Sequence, residues 1–161
     1  DSSIVTYPVF TAIAAPEVQN KLNGDFAIIA GPYLQNLATG GCELDYTLTF
    51  VSEKFISMVF FGVLDEGEKE IFAKIPLNID VQTGAQLALG DVLNLRDADL
   101  LPVLRLLTKK DKVDFSKGIP ESWYYNGTNF VFCQRSETGE WLEATVAASD
   151  LKKFLLKPEL F

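Results

Sequence analysis

Apolar residues recur along the chain with two different periods, and the change from one to the other marks out its elements. Between Glu17 and Leu37, Val18, Leu22, Phe26, Ile29, Tyr33 and Leu37 follow one another at steps of three and four, the stripe of a long amphipathic helix. Gly31 and Pro32 interrupt it. Proline lacks the helical N–H and its ring crowds the preceding turn, so a kink or a second short helix is expected there. Ahead of the helix, "SIVTYPVF" alternates β-branched and aromatic residues and reads as a first strand at a sheet edge, since Pro8 cannot donate to a ladder.

After "TGG" at 39–41 the period becomes two. Leu44, Tyr46, Leu48 and Phe50 alternate with Glu43, Asp45, Thr47 and Thr49, which predicts one buried and one wet face. "FISMVFFGVL" is nearly continuous apolar sequence and predicts a central strand covered on both faces, ended by the acidic "DEGEKE". "IFAKIPLNID" returns with Ile71, Ala73, Ile75, Leu77 and Ile79 on one face, completing an antiparallel meander. Asp80 to Gly84 then has the chemistry of a tight turn, with Asp80 and Thr83 able to bond local amides and Gly84 free to bend, so these residues read as structural. "DADLLPVLRLLTKK" predicts a further helix with Pro102 in its first turn. "ESWYYNGTNFVFCQ" predicts a hairpin around Asn126-Gly127, "WLEATVAA" another strand and "SDLKKFLL" a closing helix. The aromatic residues of that hairpin fit a sheet core better than a platform for sugar rings. The fold class is α+β: an antiparallel meander sheet with a long N-terminal helix and one or two further helices packed on it. No repeat or linker divides residues 1–161, so a single domain is expected.

Charge narrows the partners. Fourteen basic residues against twenty-two acidic ones leave a net charge of −8, which repels nucleic acid and anionic lipid and favours a cationic partner, although such a charge also serves solubility alone. No apolar run is long enough to span a membrane. The chain opens at Asp1 without a charged and apolar leader; a removed signal peptide or lipoprotein anchor and a trimmed cytosolic fragment both fit that start.

Candidate chemistry is sparse, because the sequence contains no histidine. That removes most nucleophilic triads and zinc sites, and no glycine-rich phosphate loop, calcium loop or serine-nucleophile pattern is present. No catalytic residue, metal ligand or cofactor is assigned. Asp80, Asp91 and Glu137 would serve glycoside hydrolysis if they converged in a cleft, but capping and loop roles account for them more simply. Cys42 and Cys133 fit either one disulfide or two buried thiols.

The order of elements, "IVTYPVF", the "NKLN" helix, the apolar hairpin and above all Asn78, Asp80, Thr83, Gly84, Leu87, Leu89, Asp91, Val92 and Leu93, resembles the RsiV-like C-terminal domain. That family includes outer domains of anti-sigma factors and accessory domains of PdaC-type polysaccharide deacetylases. Two loops depart from it. "DEGEKE" stands where members carry a small-residue G-G-A-H segment, and of their P-Y-E-I-G only Glu137 and Gly139 match. The resemblance implies an extracytoplasmic domain, secreted, periplasmic or anchored at the cell surface, that binds or senses without catalysis. Its expected partner is a cationic protein such as lysozyme or a cell-wall component, met through Asp65, Glu66, Glu68 and Glu137. A carboxylate hydrolase of cell-wall glycan and a structural spacer of a surface lipoprotein are the other two readings.

Overall fold

A computed structural model gives the fold and describes residues 3–11, 13, 15–38, 40–65 and 69–161. The helical stripe folds as one helix, α1 (Pro16–Asn36), whose Val18, Leu22, Phe26, Ala30 and Tyr33 are buried. It runs as one helix through Gly31 and Pro32, so of the two outcomes the sequence offers there the second short helix does not form. Pro32 lies on the solvent side, so the carbonyl its ring leaves unbonded can turn to water. Pro16 opens the helix in the first turn, where its missing N–H costs nothing. Asn23 holds the preceding segment against α1, accepting from Phe10 N at 2.8 Å and donating to Phe10 O at 2.9 Å.

Four strands form the first sheet in the order β1 (Ile4–Val5), β2 (Cys42–Val51), β3 (Phe55–Asp65) and β4 (Glu70–Asp80). β1 is much shorter than "SIVTYPVF" suggests and pairs parallel to β2, while β2, β3 and β4 form the expected antiparallel meander. One face, carrying Cys42, Leu44, Ile56, Met58, Phe60, Leu77 and Ile79, packs on α1. Gly62 sits on that face because a Cβ there would overlap the Tyr33 hydroxyl. The simple alternation read along β2 breaks at Thr49. Leu48 pairs with Met58 but Phe50 with Ser57, a bulge that sends Phe50 to the opposite face from Leu44. Phe50 therefore joins the second core, and Leu48 is left 44 % exposed near the edge.

The second core lies between the other face of this sheet and a three-stranded antiparallel sheet, β5 (Ser122–Tyr125), β6 (Asn129–Arg135) and β7 (Trp141–Ala147). The short α2 (Leu89–Val92), α3 (Leu100–Leu107) and a 3-10 turn at Ala148–Phe154 complete it. Pro102 falls in the first turn of α3, as predicted, and the closing helix read in "SDLKKFLL" is present as the 3-10 helix Ala148–Phe154. Trp123, Tyr125, Phe130 and Phe132 are core residues: Phe55 stacks on Trp123 at 6.3 Å, Trp123 on Phe130 at 5.5 Å, and Phe161 approaches Phe130 at 4.8 Å.

The two sheets are joined by buried polar groups. Ser57 and Asn78 face each other across β3 and β4, and Ser57 Oγ donates to Asn78 Oδ1 at 2.7 Å. Ser57 Oγ also accepts from Tyr125 N at 2.8 Å, and Asn78 Nδ2 donates to Trp123 O at 2.7 Å. The outer backbone edge of β5 is thus satisfied by two side chains standing on the face of the first sheet. Beyond Asn78, Asp80 Oδ1 accepts from Gln82 N at 2.9 Å and Thr83 N at 3.3 Å. Thr83 Oγ1 accepts from Ala85 N at 3.2 Å, and Gly84 takes φ 68°. The Asp80, Thr83 and Gly84 stretch reverses the chain.

The disulfide that the sequence leaves open is not formed. Both thiols are free and buried. Cys42 opens β2 under α1, donating to Tyr33 O at 3.3 Å, whereas Cys133 belongs to β6 of the other sheet. Intact mass after alkylation of the unfolded, unreduced protein should show two modified thiols.

Ser57→Ala strands the Tyr125 amide and one Asn78 lone pair in a dry interface, and is expected to cost about 1–3 kcal/mol in urea unfolding. Asp80→Ala should cost about 0.5–2 kcal/mol, the range of a lost side-chain cap. The Ser57→Ala/Asn78→Ala double variant should lose less than the sum of the singles, since they share one bond.

Candidate functional site

The second sheet covers only part of the first sheet's outer face. Residues on that face follow by alternation from Phe55 and Ser57 through Val59 to Phe61, Val63 and Asp65. Phe55 and Ser57 are buried under β5, but Phe61 is 45 % exposed. β3 is therefore covered on both faces over its first half alone, against the sequence expectation for the whole strand. The uncovered half forms a groove of about 510 Å³.

Register builds its floor. Asp45, Phe61 and Lys74 form one row across β2, β3 and β4, and Glu43, Val63 and Phe72 form the next, with Ile4 beside Glu43. Trp141 of β7 also lines the groove. Phe72 is 51 % exposed, an unusual state for an aromatic residue on a sheet. Carboxylates mark the outer positions: Glu43 and Asp45 on β2, and Asp65 paired with Glu70 where β3 gives way to β4. Among the described residues no salt bridge engages Glu43, Asp45 or Glu70.

The one cation in the lining, Lys74, is committed. Its ammonium pairs with Glu143 of β7 and lies 5.5 Å from the ring centres of both Phe61 and Tyr124. Tyr124 OH donates to the same Glu143 oxygen at 3.2 Å, and the Cys133 thiol points at it from 3.9 Å. Burial, with help from the Glu143 charge, raises the Tyr124 pKa. Burial pushes the Cys133 thiol up to about 12, Glu143 adding to the effect and Lys74 opposing it. A thiol in that state is protonated at neutral pH and a poor nucleophile. The cluster ties β4 to β5 and β7 at the inner end of the groove.

The residues singled out from sequence are not gathered at one place. Asp65 ends β3, on the groove's side of the sheet; Glu137 tips the β6–β7 loop on the other sheet, with Lys117 at 3.6 Å; Glu66 and Glu68 lie outside the described residues. Asp80 bonds its own turn, and Asp91 accepts from Ala88 N at 2.8 Å, capping α2. None of Asp80, Asp91 and Glu137 lines the groove. No group of three metal-ligating side chains occurs among the described residues, and no helix there is long and apolar enough to cross a membrane. Sequence reasoning missed Glu43, Asp45, Phe61, Phe72, Lys74, Trp141 and Glu143. One signal was present: Phe72 and Lys74 fall on the face of "IFAKIPLNID" opposite its aliphatic residues, an aromatic residue where a wet face was expected.

Cys133, Tyr33, Tyr124 and Tyr125 all have pKa values raised by burial. A group whose pKa is higher folded than unfolded stabilises fully below the unfolded value, and that contribution is lost as the pH climbs toward the folded one. Stability should therefore fall as the pH rises above 9.0, the thiol's ordinary value, toward about 12. Urea midpoints measured across that window should decline, and less steeply in Cys133→Ala.

No protein-family model matches the sequence, and no curated protein matches it significantly. Solved structures do resemble the fold. A DUF3298 family protein from Pseudomonas aeruginosa PAO1 superposes with a TM-score of 0.62 at 15 % identity, over 91 % of this chain and 83 % of that one. A DUF3298 family member from Bacteroides fragilis NCTC 9343 gives 0.55 at 14 % identity, over 86 % of this chain and 65 % of its own length. Identities this low carry the fold and nothing about ligands. The chain has the α+β architecture of these DUF3298 family proteins.

Proposed function

We propose that this chain is a non-catalytic binding domain that works outside the cytoplasm and takes a cationic macromolecule as its partner. The observation that carries the reading is the open face of the first sheet, where apolar side chains are exposed among Glu43, Asp45, Asp65 and Glu70 and the one lining lysine is already paired. A net charge of −8 extends the same field over the rest of the molecule. The extracytoplasmic setting, secreted, periplasmic or surface-anchored, rests on the family resemblance. The non-catalytic reading is supported by the lack of histidine and by the capping roles of Asp80 and Asp91.

Opposite charges on two proteins act mainly on encounter. They accelerate association, and they fade once salt shortens the Debye length to about 8 Å. Lysozyme, a basic wall-degrading protein within the scope of the resemblance, is the first probe. Surface plasmon resonance should show an association rate that falls about tenfold or more from low to physiological salt. The variant with Asp65, Glu66 and Glu68 changed to serine should associate several-fold more slowly at low salt. Absence of binding by lysozyme and by other basic proteins at low salt would reject the reading and leave a spacer.

A further inference from the structure

We propose that the groove on the first sheet is a peptide site, and that it takes an extended segment of the partner in which a lysine or arginine and a bulky apolar residue lie two positions apart. The inference rests on the binding-domain reading above and names what the partner must present.

Three features of the groove select this ligand. Its apolar seat is built by Val63 and Phe72, adjacent across β3 and β4, with Phe61 in the next row and Trp141 beside them. An apolar side chain lying there removes two half-exposed phenylalanine rings from water together with its own surface. The charge is one-sided: Glu43 and Asp45 stand on β2 and engage no cation among the described residues, while Lys74 is neutralised by Glu143. An anion would meet repulsion without a free counter-charge, and a neutral sugar would leave both carboxylates without their complement.

The third feature is distance. Neighbouring strands are about 4.8 Å apart, so a side chain seated between Val63 on β3 and Phe72 on β4 lies about 7 Å from Glu43 on β2, measured across the sheet. Side chains on the same face of an extended segment are separated by two residues, about 6.6 Å. A cation over Glu43 and Asp45 and an apolar anchor over Val63 and Phe72 therefore match the i, i+2 spacing of a single strand running across the groove. A helical segment, whose same-face neighbours are three and four residues apart, places them less well.

Trp141 supplies the readout. The protein has two tryptophans, and Trp123 is in the core, so an emission change that disappears in Trp141→Phe reports the groove. The probes are a short peptide alternating arginine and leucine through intervening serines, so that the two recur at i, i+2, and three relatives: glutamate for arginine, serine for leucine, and arginine and leucine moved to i, i+3. A chitin oligosaccharide is the fifth probe. The first peptide is expected to give a saturable change in Trp141 emission. Its Kd should rise about tenfold in Glu43→Gln/Asp45→Asn and by a similar factor in Phe72→Ser, while the other peptides bind at least tenfold more weakly. Circular dichroism and urea unfolding establish that both variants are folded. Saturation by the oligosaccharide but not the peptide, equal binding of all four peptides, or affinity unchanged in both variants overturns the proposal. If lysozyme or another basic protein binds with the expected salt dependence while these variants leave that binding intact, the groove assignment fails and the binding-domain reading survives. If no basic protein binds at all, the reading beneath it fails first.

Discussion

An edge strand brought against the face of another sheet has to hide peptide groups that have no ladder to join, and the architecture depends on how that is solved here. The outward-facing Trp123 carbonyl and Tyr125 amide of β5 have no strand partner, and leaving either dry and unbonded would cost as much as several good contacts return. Ser57 and Asn78 meet both, and bond to each other as well. Because the two bonds to β5 need one registration of it over β3 and β4, they select a docking position that apolar packing alone, being non-directional, would not specify. Phe55, Trp123 and Phe130 then stack around that fixed point.

The groove follows from the same arrangement. β5 is anchored over the first half of β3, and Lys74 with Glu143 and Tyr124 holds the sheets together a little further along. Past that cluster nothing described covers the strands, and their outward side chains remain at the surface. Lys74 gains from enclosure, lying near two rings as well as a carboxylate, and its position removes the positive charge that would otherwise offset the acidic positions around the opening.

Much of the fold was legible because hydrophobic period is a local property. The α1 stripe, each strand of the meander and the NG hairpin declare themselves within a short window, whereas whether Pro32 ends the helix depends on which side of it faces water. The Asn78-to-Leu93 run was legible as a turn followed by a capped segment, but the part of Asn78 was not: its partners are 21 and 45 residues away. The groove was illegible for a related reason. Whether "FISMVFFGVL" is covered along its whole length is decided by how far another sheet reaches, which no window of sequence contains. The exposed aromatic residue and lone lysine of "IFAKIPLNID" were the nearest thing to a local trace.

The bulge at Thr49 gives β2 two addresses. Side-chain direction along a strand is a matter of odd and even, and the extra residue inverts that parity midway, so Leu44 belongs to the helix-facing core and Phe50 to the inter-sheet core. The partner on β3, and not the count of residues along β2, decides which side a residue takes. Removing Thr49 would restore plain alternation and leave Leu48 opposite Met58 and Phe50 opposite Ser57, so that each side chain after the bulge keeps its present side. Chains that share this fold can accordingly keep or lose this one residue without exchanging their two cores, since the loss straightens the strand and leaves its pairing with β3 intact.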